Sequence, residues 1–202
     1  MKEKGNAQSF AGANVIRGGQ NNEAGNVHGR YDVKCYDKDG NLKWEDTIEN
    51  IITDLGANQL LDSAFGAGPI AGPFLGLISS VGYTGIPVAA DTMLSHASGG
   101  HVWNEAGNGV NYPVWTTPAA NARATIAFSA AAARAKALSA VASFTIGATG
   151  GTVKGCFIVF GTGAVATNNN TGGVLYSAGV FSGGDKVLQT SDVLQVSYST
   201  SI

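Results

Sequence analysis

The chain has 202 residues, with twelve Lys and Arg against fourteen Asp and Glu for a formal net charge of −2. Its 44% apolar and 13% charged residues supply one sizeable core, and no cationic excess is available to displace counterions from a polyphosphate, which excludes nucleic acid as a main partner. The 29 glycines and five prolines exceed the usual share of about 12% without reaching the roughly 25–30% of low-complexity chains, so a loop-rich globular fold is expected.

Residues 1–26 are rich in Gly, Asn and Gln and hold few large apolar side chains. Such a stretch buries too little surface to offset its own ordering entropy, and is expected to be a flexible tail or an extended arm that orders on a neighbour. Phe10, Val15 and Ile16 are its natural apolar anchors. It lacks the apolar run of about 7–15 residues that a secretory signal needs. Residues 27–202 are expected to form a single body.

From Arg30 to Tyr36 and from Leu42 to Ile48 apolar residues alternate, with Tyr31, Val33 and Cys35 facing one way and Leu42, Trp44 and Ile48 doing the same. Around Lys38-Asp39-Gly40-Asn41 this predicts a β-hairpin. Thr53-Asp54 can cap a helix carrying Leu55, Leu60, Leu61, Ala64 and Phe65 on one face, closed by Gly66. Phe74 to Ile78 is continuously apolar and of strand length, which suits a buried strand. Asp91 to His96 reads as a helical turn with Asp91 as N-cap. Ala130 to Ala142 is good helix material between flanks that alternate like strands, and a hairpin with an alanine-rich connection is preferred over a helix. Gly155 to Phe160, Val174 to Phe181 and Val193 to Tyr198 complete a strand-rich second half. The expected class is mainly β: an antiparallel β-sandwich, jelly-roll-like, with one or two short helices. Thr125 to Ile146 is interrupted by Arg134 and Lys136 and is mostly weakly apolar alanine, so no membrane span is expected.

The side chains that could carry chemistry are dispersed. His28, His96 and His101 lack ligands at metal spacing apart from Glu105, and His96 is expected to bond its own turn. Ser177 lies in Leu175-Tyr176-Ser177-Ala178-Gly179, which lacks the first glycine of a nucleophile elbow. Asp37, Asp39, Glu45, Asp46 and Glu49 read as solvated carboxylates around a hairpin, and the glycine doublets read as turns. Cys35 and Cys156 sit in alternating segments as small buried hydrophobes. No catalytic residue, metal or cofactor is expected. The loop bearing Trp103, Tyr112 and Trp115 is either an aromatic recognition surface or a lid packed over one end of the sandwich.

Several segments recur in a shared order: Trp44 in the opening hairpin, Asn50-Ile51-Ile52-Thr53-Asp54-Leu55-Gly56, Phe74-Leu75-Gly76-Leu77, Ala89 to His96, and Gly173 to Tyr198. Over roughly residues 30–202 the chain resembles a family of small tailed-bacteriophage virion proteins encoded near the major capsid gene. It departs from that pattern after His96, where Ala97-Ser98-Gly99-Gly100-His101-Val102-Trp103 stands in place of Ala-Gly-Trp. The resemblance implies a decoration or cement protein on the outer capsid surface, made in the host cytoplasm, with the major capsid protein and further copies of itself, as dimer or trimer, for partners. In that reading Phe10, Val15 and Ile16 contact the shell, Asp185 and Asp192 cap turns of the closing strand pair, and Lys186 is solvated. The alternative is a receptor-binding head or tail fibre module that meets a host surface glycan through Trp103, Tyr112 and Trp115.

Overall fold

In the computed structural model, which describes residues 27–64, 71–93, 103–107 and 112–202, the opening alternation becomes the hairpin β1 (His28–Tyr36) and β2 (Leu42–Ile52). Tyr31, Val33 and Cys35 are buried, and the Asp37 carboxylate accepts the Asp39 and Asn41 N–H groups at 2.9 Å each, folding the turn in which Gly40 takes a φ of +84°. Cys35 stands opposite Trp44 and Tyr31 opposite Ile48, which puts Trp44 and Ile48 on the core side. Leu42 is not with them. A bulge between Cys35 and Tyr36 adds one residue to β2, and because side chains alternate with a period of two, Leu42 is turned outward to 51% exposure.

Among the described residues every strand pairing is antiparallel and one sheet runs in the order β4-β7-β11-β1-β2-β9-β8-β3-β5. Its remaining members are β3 (Phe74–Ser79), β4 (Trp115–Thr117), β5 (Ala124–Thr125), β6 (Ala135–Ala137), β7 (Ala142–Ile146), β8 (Gly151–Phe160), β9 (Val174–Val180), β10 (Lys186–Leu188) and β11 (Val193–Ser201). The long β2 pairs with β1 over most of its length, then hands Ile51 and Ile52 to Ala178 and Ser177 of β9. That transfer curls the sheet into a half-barrel whose two halves face each other across one core, the sandwich-like, mainly β class expected. Tyr31 of the first half meets Ser177 of the second, hydroxyl to hydroxyl at 2.5 Å, and the Tyr176 ring stands edge-on to Tyr198 at 6.3 Å.

The helix α1 (Asp54–Ala64) starts where predicted. Thr53 is its N-cap: Oγ1 accepts the Gly56 N–H at 2.9 Å, the carbonyl accepts the Ala57 N–H, and the hydroxyl donates to the Leu175 carbonyl. Gly56 is the contact with β9, since a Cβ there would lie 2.8 Å from the Tyr176 Cα. Among the described residues of the expected apolar face only Leu60 packs on the core, whereas Leu55 and Leu61 are exposed; the close approach at Gly56 sets the helix orientation. Phe65 and Gly66 lie outside the described residues. Of the helical turn expected from Asp91 to His96, residues 94–96 lie outside the described residues; the Asp91 carboxylate accepts the Val88 N–H, three residues before it, at 2.9 Å.

The alanine-rich segment is a hairpin. Ala132 and Ala135 exchange both backbone hydrogen bonds around Ala133 (φ +50°) and Arg134 (φ +63°), a two-residue turn with both central residues left-handed. Phe128 bridges Leu138, and β6 adds to the edge of β11. Cys35 and Cys156 are free and buried.

Candidate partner-contact surface

The three aromatic side chains of the long loop do not converge on one surface. Trp103 is fully buried with its ring 5.0 Å from Phe157, on the outer face of the β3-β8-β9 half. Trp115 is equally buried on the opposite side of that half, in the interior, where its Nε1–H donates to the Ala122 carbonyl at 2.8 Å and its ring meets Phe144 edge-on at 5.0 Å. Tyr112 alone is exposed, at 38%. The recognition surface expected from Trp103, Tyr112 and Trp115 is thereby corrected: both indoles are core, as large apolar rings near an uncovered sheet face should be, and neither is available to stack on a sugar.

Beside Trp103, Glu105 and Arg123 form an ion pair in which both side chains are fully buried. Arg123 Nε and Nη2 donate to the two carboxylate oxygens at 2.9 and 2.8 Å, and the Asn169 N–H donates to Glu105 at 2.8 Å. The remaining guanidinium donors reach the Val165 and Asn170 carbonyls, and the guanidinium lies 5.5 Å from the Phe157 ring centroid. Burial pushes the Glu105 carboxyl up and Arg123 opposes it. Three loops are thus tied by one bidentate pair. Glu105, four residues after His101, is committed to Arg123 rather than to a cation; His96 and His101 are outside the described residues. Arg123 was not singled out from the sequence. Its position immediately before the inward-facing Ala124 and Ile126 is the signal that could have found it.

Two charges read as solvated are not. Asp46, opposite Val33 on the core side of β2, binds Lys186 at 2.7 Å, the Ser182 hydroxyl at 2.6 Å and the Gly183 N–H at 3.0 Å. The Lys186 ammonium also lies over the rings of Trp44 (5.3 Å) and Phe181 (6.0 Å), with its side chain only 16% exposed. Burial alone pushes the Asp46 carboxyl up, but Lys186, Ser182 and the backbone donors of Thr47 and Gly183 outweigh it and hold it at about 2. Asp192 does cap a turn, accepting the Gln189 N–H at 2.7 Å, and is buried against Lys43. Asp185 pairs with Lys154 at 2.7 Å.

An exposed apolar group surrounds the start of β8. Val187 of β10 stands opposite Thr152 and is 61% exposed. The Ser80 N–H donates to the Thr152 carbonyl, and one residue on, Val81 is 41% exposed. Ser79 Oγ accepts the Val81 N–H at 3.1 Å and donates to the Tyr112 carbonyl at 2.8 Å. Tyr112 in turn lies over Gly151, where a Cβ would come within 2.7 Å of its own Cβ. Ile86, on the following loop, is 63% exposed. Tyr112, Val81 and Val187 are therefore held around one sheet end by backbone bonds, with the Lys154–Asp185 pair at the border. Such a group, apolar at its centre and charged at its rim, has the composition of a protein contact.

Among the described residues no set of three His, Cys, Asp or Glu side chains is placed to hold a metal ion, and no helix is long and apolar enough to cross a membrane. Phe10, Val15 and Ile16 lie outside the described residues. The chain matches no family model, no curated protein and no solved structure.

Proposed function

We propose that this protein is a virion structural protein of a tailed bacteriophage, most specifically a decoration protein that binds the outer capsid shell and bridges major capsid subunits. The observation that carries the reading is the exposed apolar group of Val81, Tyr112 and Val187 on a rigid sheet end, a surface suited to a protein partner. The sequence resemblance supplies the identity of that partner, and the arm of residues 1–26 supplies a second point of attachment. Weak single contacts suffice on a shell, because many symmetry-related copies act together.

Copy number tests this most directly. Quantitative mass spectrometry of purified particles is expected to give one copy per major capsid subunit or a simple fraction such as one third. A ratio of a few per cent overturns the shell-wide reading in favour of a vertex or tail. Deleting residues 1–26 is expected to weaken shell binding with the body still folded, and Val187→Asp to weaken it further.

A further inference from the structure

An apolar cavity of about 230 Å³ opens at the mouth of the half-barrel, between α1 and the alanine-rich hairpin. Leu60, Phe128, Phe160 and Tyr176 are among its apolar lining, and Ser63, Lys136 and Thr200 among its polar lining. The geometry points to an occupant from the same chain: Phe10 of the N-terminal arm, seated among Phe128, Phe160 and Tyr176.

Three observations select it. First, the arm joins the body beside the cavity: the Thr200 hydroxyl, which lines the cavity, donates to the His28 carbonyl at 2.8 Å, and β1 begins at His28. Second, reach is ample. Sixteen residues separate Phe10 from Val27, a coil of that length spans about 20–24 Å on average, and its extended limit is about 55 Å. A tether so short gives a millimolar effective concentration at a site next to its root, which favours the chain's own arm over a partner's. Third, the chemistry matches. A dry cavity of about 150 Å³ accepts benzene, so 230 Å³ admits a phenyl ring, and the aromatic walls allow edge-to-face contacts. Phe10 is flanked by Ser9, Ala11, Gly12 and Ala13, small residues that let the backbone approach the mouth. Val15 and Ile16 are adjacent, so an extended chain points them to opposite sides and only one could enter. The docking concerns the free chain and stands independently of any place in a particle.

Chymotrypsin reads it, because Phe10 is the sole aromatic residue of the arm. Cleavage after Phe10 in the full-length protein is expected to be roughly tenfold or more slower than in Ser63→Trp, whose indole fills the mouth, since cleavage follows the undocked population. The double variant Ala11→Cys/Ser63→Cys, which keeps the Phe10 ring, keeps the test alive should Ser63→Trp misfold. The native thiols stay out of the exchange: both are buried, and burial pushes the Cys35 thiol up to about 12 and that of Cys156 higher still. A disulfide within one chain, formed faster than in a Gly5→Cys/Ser63→Cys control, is the expected result. Equal cleavage rates, or a disulfide no faster than the control, overturn the docking. A disulfide between chains that grows with protein concentration overturns it in favour of a second copy's arm.

Discussion

The two halves of the curled sheet solve the same burial problem differently. In the β1-β2 part of the first half one face meets the core and the other carries Arg30, Asp32, Lys34, Glu45 and Glu49 in exposed ion pairs within β1 and across to β2. In the β3-β8-β9 half both faces are covered. Leu75, Leu77, Cys156 and Ile158 fill the interior, while Ile78, Phe157 and Val159 lie under Met93, Trp103 and Ala164. Any charge trapped under that second cover must find its partner there. Glu105 and Arg123 do so without solvent, whereas Asp46 of the first half reaches across to Lys186 of β10 near the rim.

The largest expected effect follows from that difference. Arg123→Met leaves the Glu105 carboxylate buried and unpaired, and is expected to cost about 3–5 kcal/mol of folding stability, read by chemical denaturation. The double variant Arg123→Met/Glu105→Leu is expected to recover much of the loss, because no charge then remains without a partner. A single variant as stable as the parent would mean that water reaches this layer and that the two halves are not covered differently.

Asp46 gives the rim counterpart and a pH dependence with a fixed sign. Its folded value of about 2 lies below the ordinary 3.8, so the group adds stability above about pH 4 that is lost as pH falls through about 2. That contribution is about 2 kcal/mol, and Asp46→Asn is expected to remove it together with the corresponding part of the acid transition. An unchanged acid limb in Asp46→Asn would reassign acid sensitivity to other carboxylates.

The same contrast explains what could be read from the sequence. Where one face is wet, alternation marks the strand and its inward residues: Tyr31, Val33 and Cys35 are all found in the core. Leu42 escaped because a bulge shifts the period locally, and bulges have no composition of their own. Where both faces are dry, as in Phe74 to Ile78, the continuous run marks burial but not what covers it. That is why Trp103 and Trp115 could be read either as a recognition surface or as a packed lid. The Glu105–Arg123 pair joins residues eighteen apart through loops whose path nothing local dictates. The apolar group at Val81, Tyr112 and Val187 is assembled from three separate segments and was visible only as Tyr112.

The alanine-rich hairpin is the sharpest conflict between local preference and tertiary context, and the smallest expected effect resolves it by sign. Alanine favours a helix by a few tenths of a kcal/mol per residue over most alternatives, yet Ser199, Thr200 and Ser201 of β11 offer an open edge to Ala137, Lys136 and Ala135. Pairing with that edge, and burying Phe128 against the Tyr198 ring at 6.2 Å, outweighs the intrinsic preference. The cost is carried at the turn, where Ala133 and Arg134 hold left-handed φ values that side chains with a Cβ disfavour by about 1–2 kcal/mol each. Arg134→Gly relieves one of them and, after the extra backbone entropy of glycine in the unfolded chain, is expected to stabilise the protein by about 0.5 kcal/mol. In a helix the same substitution would destabilise by about 1 kcal/mol. The direction of the shift in the denaturation midpoint therefore separates the two conformations without any structural measurement.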